Sequence, residues 1–455
     1  MRNIIISILS IALVACNPPQ IKSDKITDGL GPIASKYEID SKRLIDAALV
    51  DSEGFNRLAE LCDTFGPRFS GTDNLEKAID WILAEMKSDG LHDVHGEKVM
   101  IPKWVRGKES AYMISPWKKE LHMLGLGGSI STPEEGITGE VVVMNSFDDL
   151  VNRSSEAKGK IVLFNVPFTN YGKTVQYRSG GAIAASKAGA VASIIRSVGP
   201  YSMNTPHTGG MRYEDGVKKI PHAAITVEDA AMIARMIERG QSVKINLKME
   251  AHFEDDTPSR NVVAEIKGTE FPDEVIVMGG HIDSWDVGQG AMDDGGGCVA
   301  AWQAVKLMKE LGLRPKRTVR VVMWTNEENG GKGNKAYRDM HADELDKHIL
   351  AIESDGGVFS PKGFGFSGSE SAWNTVEEIH ELLVPIGANN LSKGGRAADV
   401  SPLNDEGVPV MSLKVDGSKY FWYHHTNADT FDKIDFNIFY FFLNWLLDRL
   451  PIAID

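Results

Sequence analysis

The chain has 455 residues, of which 42% are hydrophobic and 25% charged, and it carries a formal net charge of −14. That profile belongs to an ordinary globular protein with room for two or three domains. The acidic balance excludes a nucleic-acid or anionic-membrane surface, since both need clustered Lys and Arg.

The N-terminus differs in character from the rest of the chain. Arg2 precedes an apolar run from Ile4 to Ala15. Such a run is too short to span a bilayer as a helix, which needs roughly 20 residues. It fits the apolar region of a secretory signal. Its end, Leu13-Val14-Ala15-Cys16, resembles a bacterial lipobox; an ordinary signal peptide that contains a cysteine is the alternative. The resemblance implies a signal at 1–15, lipidation of Cys16 and a polar tether at 16–35. Asn17 in place of Asp implies retention at an outer membrane, facing the periplasm or the cell surface. No other apolar stretch is long enough to cross a membrane, so membrane contact is expected only through this anchor. The remaining cysteines, Cys62 and Cys298, are expected to be buried free thiols.

Next along the chain, Phe65-Gly66-Pro67-Arg68-Phe69-Ser70-Gly71-Thr72 reads as a tight loop. Asp73 with Glu76 forms a capping box, and Leu75, Ala78, Ile79, Ile82, Leu83 and Met86 recur at helical spacing until Gly90. Strands are predicted at 139–144, 160–164 and 190–195, with helices at 182–189 and 227–239. This β-rich block, placed at 129–250, offers no convincing set of metal ligands and reads as an inserted module. It resembles the protease-associated domain. The flanking segments 36–128 and 251–455 form the chemical domain.

After Arg260 apolar strands end in polar clusters: Val275–Met278 before His281, Val319–Trp324 before Glu327, and Ile349–Ile352 before Asp355. Helices are predicted at 297–311 and 372–383, and a docked core helix at 436–450. The fold class is therefore α/β, a mostly parallel mixed sheet with helices on both faces. Ligands of such sheets bind beyond the carboxyl ends of the strands, where all three clusters sit.

His281 with Asp283 two residues on is a donor with a carboxylate able to orient it, though His-x-Asp also occurs for structural reasons alone. Asp293-Asp294 before three glycines is costly to bury without a cation, yet would serve equally as a solvated helix cap. Glu327-Glu328 and Asp355 follow strands, and His424-His425 supplies a further imidazole. Five donors of mixed imidazole and carboxylate type suit two Zn²⁺ sharing one Asp, with room for water.

The run Gly279-Gly280-His281-Ile282-Asp283-Ser284-Trp285-Asp286-Val287-Gly288-Gln289-Gly290-Ala291-Met292-Asp293-Asp294-Gly295-Gly296-Gly297 resembles the M28 metallopeptidase family, in particular its carboxypeptidase Q-like members. The similarity runs from about Gly66 to the C-terminus. It implies a zinc exopeptidase fold and two zinc ions per chain. His281 and Asp355 would complete one site, Glu328 and His425 the other, with Asp293 bridging and Glu327 as general base. Asp283 would orient His281, and the Asp293–Asp294 peptide would be cis. The family's His-x-x-x-Asp-Thr spacing selects His425, whereas chemistry alone accepts His424. Tyr423 and Tyr420 both remain candidates for polarising the substrate carbonyl. The expected substrates are small peptides, especially dipeptides with free termini, and the expected assembly is a homodimer. An aminopeptidase of the same family and a non-catalytic receptor-like module are the alternatives.

Overall fold

The computed structural model describes residues 30–439. The signal, Cys16 and most of the tether lie outside the described residues, as does most of the helix expected at 436–450. No helix among the described residues is long and apolar enough to cross a membrane.

The strands fall into two eight-stranded sheets, and their chain order is informative. β1 (His92–Val105) belongs to the first sheet. The next eight all belong to the second: β2 (Glu109–Ser115), β3 (Lys119–Leu121), β4 (Met123–Gly125), β5 (Ile137–Met144), β6 (Ile161–Phe164), β7 (Ala192–Arg196), β8 (His222–Ile225) and β9 (Lys244–Met249). The chain then returns to the first sheet with β10 (His252–Ile266), β11 (Phe271–His281), β12 (Arg317–Trp324), β13 (His348–Glu353), β14 (Pro361–Ser367), β15 (Asn390–Lys393) and β16 (Val410–Val415).

The first sheet has the order β1-β10-β12-β11-β13-β16-β14-β15, and β12, β11, β13 and β16 form a parallel centre. β12 and the second half of β11 are buried at nearly every position, as strands covered on both faces must be. Their Val, Ile and Met side chains feed cores on both sides of the sheet, each fully buried one contributing about 1.5–3 kcal/mol. The helix Gly296–Glu310 covers one face and buries Trp302.

The second sheet is also mixed: β5, β6, β7 and β8 are parallel, while β2, β9 and β4 pair antiparallel at the flanks. Strand pairing thus draws Glu109–Gly125 into this sheet, ahead of the boundary expected at residue 129. The helix expected at 182–189 is longer, Tyr171–Lys187, and starts where the Asn170 side chain caps the Lys173 amide. Gly180-Gly181 inside it obscured its length in the sequence; Gly181 faces the His222 ring, which a Cβ there would approach to 3.0 Å.

The helix after the Gly-Pro loop spans Asp73–Ser88, but its cap is Thr72, not Asp73. Thr72 has extended backbone and accepts from the Leu75 amide, whereas Asp73 is already helical and Glu76 is drawn to Arg260 instead. Cys62 and Cys298 are buried free thiols.

His222 on β8 is fully buried, with Nδ1 beside Ser193 and Nε2 facing the Tyr177 carbonyl at 3.2 Å. Burial lowers its pKa from 6.5 to about 4. Between those values the unfolded chain binds a proton that the folded chain refuses, so stability is full above pH 6.5 and drains as pH falls towards 4. The group accounts for about 3 kcal/mol of that loss. Urea midpoints should fall across this window, and less steeply in His222→Gln than in the parent.

Candidate metal centre

Every expected ligand lies at or beyond the carboxyl end of one of the four central parallel strands. His281 is the last residue of β11, and Asp293 follows twelve positions later, in the turn that leads into Gly296–Glu310. Glu327 and Glu328 follow β12, Asp355 follows β13, and His425 closes the segment after β16. Adjacent strands running in one direction bring these side chains to one edge.

They converge on Asp293. His281 Nε2 lies 3.2 Å from Asp293 Oδ1 and 3.7 Å from Asp355 Oδ1. On the other side His425 Nε2 lies 3.3 Å from Asp293 Oδ2 and 3.0 Å from a Glu328 oxygen. Asp293 thus sits between two donor pairs, His281 with Asp355 and His425 with Glu328. The peptide between Asp293 and Asp294 is cis.

Supporting groups fix each donor. Asp429, two places from Asn427 in the same segment as His425, accepts the amides of Ala291, Met292 and Asp293 at 2.7–3.2 Å. Arg68, from the Gly-Pro loop, is fully buried and donates to the carbonyls of Gly66, Ile282, Gln289 and Gly290. His281 Nδ1 meets the main-chain carbonyl of Asp283 at 2.9 Å, with its carboxylate farther off at 3.9 Å. That carboxylate instead accepts the amides of Glu327 and Glu328 and the hydroxyl of Ser70. Asp283 therefore orients His281 through its backbone and the Glu-Glu pair through its side chain. Asn326, at φ 65, supplies the left-handed turn that aims the pair, and its side chain is held by Ser70.

The donor set fits cations. His281 Nε2, Asp293 Oδ2, Glu328 Oε1 and Asp355 Oδ1 are buried without a hydrogen-bond partner. Buried polar atoms rarely go unmatched, and these four belong to four of the five expected ligands. The ligating atoms of His281, Asp293 and Asp355 lie within 4.8 Å of one another. Burial raises the pKa of Glu328 to about 7, and raises those of Glu327 and Asp355 as well. The imidazoles respond oppositely: burial opposes charge on His425, yet Glu328 and Asp293 push it up to about 10. Surplus negative charge in a dry site calls for metal ions.

His424 is also near, its Nε2 3.8 Å from Asp293 Oδ2, and its ring stacks on His425 at 3.5 Å. Only His425 also reaches Glu328. The difference comes from the backbone: His425 has φ 60, and its carbonyl accepts the Thr208 amide at 2.9 Å. Both tyrosines pack against the core, but only Tyr420 lines the cavity of about 310 Å³ over the site, together with Glu327 and four of the five expected ligands.

Sequence reasoning missed the part played by the second sheet. Thr208 grips His425, His207 Nδ1 bonds the His424 carbonyl at 2.9 Å, and Arg178 and Tyr171 line the cavity. These residues have no local pattern of their own and lie at least 217 positions from the histidines they touch. Asp429 was visible only as the acid of the His-x-x-x-Asp-Thr spacing.

The sequence model of peptidase family M28 matches residues 261–440. Carboxypeptidase Q of Homo sapiens is 50% identical over 398 residues, covering 87% of this chain and 84% of that protein. Carboxypeptidase Q of Xenopus laevis is 47% identical over 437 residues, 94% and 93% of the two chains. The crystal structure of a peptidase M28 precursor from Shewanella amazonensis matches with a TM-score of 0.89 at 36% identity, over 93% of this chain and 98% of that one. A zinc aminopeptidase from Bacillus subtilis, at 21% identity and a TM-score of 0.65 over 88% and 93%, shares the fold.

Replacing His425 by Ala should cost one bound metal ion per chain, whereas His424→Ala should keep both, measured by elemental analysis after gel filtration. Asp283→Ala should weaken metal binding or activity about 10–100-fold, as removal of such supports does.

Proposed function

The chain belongs to peptidase family M28 and is a zinc metallo-exopeptidase, and from that premise we propose that it hydrolyses small peptides, above all dipeptides with free termini. The observation that carries this reading is the convergence of five donors, four of them with unmatched buried atoms, under a cavity of about 310 Å³, the lower end of the usual range for ligand sites. A receptor-like module would have no need of that set.

His281 and Asp355 would hold one zinc ion, Glu328 and His425 the other, and Asp293 would serve both. Bound zinc supplies Lewis acidity towards the scissile carbonyl and lowers the pKa of water. The remaining work falls to side chains. Glu327 lines the cavity, is not needed as a ligand, and is placed by its backbone bond to Asp283. It takes a proton from the attacking water and hands it to the leaving amine. The Tyr420 hydroxyl, which shares the cavity with Asp293, Asp355 and Glu328, stays protonated, since burial and those carboxylates hold its pKa well above 10. It can therefore donate to the oxygen that gains charge as the carbonyl is attacked.

The segment Glu109–Met249 is, in this reading, a protease-associated-like module that roofs the site. The lipobox-like Leu13-Val14-Ala15-Cys16 supports export and lipid anchoring at Cys16. Globomycin-sensitive processing and palmitate labelling, lost in Cys16→Ser, test the anchor.

Glu327→Gln should lower kcat by about 10²–10⁴-fold while two zinc ions per chain remain. A dipeptide panel assayed with and without chelator gives the parent activity; turnover indifferent to chelator would defeat the reading.

A further inference from the structure

A second cluster of imidazole and carboxylate donors lies at the edge of the first sheet. His95 and Glu97 stand two places apart on β1, the edge strand, and so project from the same face. His341, directly after the helix Lys332–Met340, meets them there. Its Nε2 lies 2.9 Å from Glu97 Oε1, and His95 Nε2 lies 3.7 Å from the same oxygen. The donors around Asp293 stand 3.0–3.7 Å apart in the same way. None of these three residues lines the cavity over that centre.

Glu97 is 5% exposed, and its Oε2 is buried without a hydrogen-bond partner. The groups that face it are the two imidazoles, while Arg320 is spent on Glu265 and the Tyr337 hydroxyl. His95 Nδ1 sits 2.7 Å from the Asp93 carbonyl, which can only accept, so that nitrogen carries the ring proton. The Nε2 of neutral His95 is then a lone pair facing a carboxylate oxygen, acceptor against acceptor. His341 is turned the same way, with Nε2 at Glu97 and Nδ1 3.6 Å from the Glu344 carboxylate. Ligating histidines are held like this, the second nitrogen directed at a carbonyl or carboxylate. The His341 ring also packs on Tyr337 at 4.4 Å, whose hydroxyl is fixed by Arg320 and His348. The His95 side chain is 42% exposed, which gives an ion a path from solvent.

Imidazole nitrogens beside a carboxylate select ions of the zinc class over Mg²⁺ and Ca²⁺, which take oxygen ligands. Zinc holds such donors at about 2.0–2.2 Å, which sets neighbouring ligand atoms about 3.4 Å apart in a tetrahedral site. We propose that His95 Nε2, the Glu97 carboxylate and His341 Nε2 bind a further divalent ion of this class, with water completing its shell. On binding, the His341 proton passes from Nε2 to Nδ1, where Glu344 faces it. The ion is structural. It ties β1, which the sheet holds on one side only, to the end of the helix that follows Glu327 and Glu328.

The test dialyses the full mature chain to equilibrium against micromolar free zinc and counts bound ions by elemental analysis. The parent should hold one ion more than His95→Ala, a variant that removes a half-exposed side chain and leaves the core intact. In His95→Ala the Kd for that ion should rise about 100-fold or more, while dipeptide hydrolysis stays at the parent rate. Zinc added beyond the complement of the Asp293 centre should raise the urea midpoint of the parent and leave that of His95→Ala in place. Glu97→Gln should lose the same ion; if it does not fold, His95→Ala carries the test. Equal ion counts in parent and His95→Ala would mean an adventitious ion only, or none, and would overturn the assignment. Loss of hydrolysis together with the ion would overturn it as well, because the ion counted would then belong to the Asp293 centre. So would a His95 ring that stays doubly protonated at neutral pH in the presence of zinc, seen by NMR, since a proton would then answer Glu97 in place of a metal.

Discussion

The carboxylate of Asp293 touches both halves of the site, 3.2 Å from His281 and 3.3 Å from His425, and the surrounding structure is arranged to keep it there. A buried carboxylate is tolerable only where positive charge or donors answer it. Burial works against its charge, yet the two imidazoles hold Asp293 well below the usual carboxylate range. Its backbone is pinned by Asp429, and the loop before it is pinned by Arg68. Both supports are side chains that direct their charge at main-chain groups. That use of charge fixes geometry, since three amides on one carboxylate or four carbonyls on one guanidinium leave little freedom to the segment between.

The same double duty appears at Asp283. One residue orients His281 through its carbonyl and places Glu327 and Glu328 through its carboxylate. The histidine from β11 and the acid pair after β12 are therefore coupled by a single residue at the junction of two parallel strands. Trp285, a few residues on, stacks on Phe69 at 4.9 Å and packs into the core of the second sheet. Gly127 permits this, because any Cβ there would strike the indole. The loop that carries the ligands is thus clamped between the two sheets.

The second sheet carries none of the five expected donors but shapes the site. Thr208 holds the left-handed turn at His425, His207 holds the carbonyl of His424, and Arg178 supplies the cavity's cationic wall. A left-handed backbone at a non-glycine residue is unfavourable and persists only where neighbours determine it. Here the neighbour comes from a different sheet. The second sheet and the strands that carry the donor cluster therefore shape the site together, although the chain order separates them cleanly.

Several features were legible in the amino-acid sequence because they are local. Continuous apolar runs marked β11, β12 and β13, and the acids and His281 directly after them marked the strand ends, since a residue's place at the end of a strand needs no knowledge of distant chain. The Asp293 segment announced itself as a costly charge beside three glycines. Other features had no local signature. Thr72 rather than Asp73 caps its helix because tertiary contact draws Glu76 to Arg260. That His425 rather than His424 reaches Glu328 depends on a left-handed turn held by remote Thr208, and that Tyr420 rather than Tyr423 lines the cavity shows only in the folded chain. Arg178 looked like any arginine in a helix; only the folded chain buried it without an acid and turned it towards the ligands. Sequence alone determined which residue types meet at the sheet edge. The tertiary structure decided their partners, because burial and unmatched charge exist only once distant segments have come together.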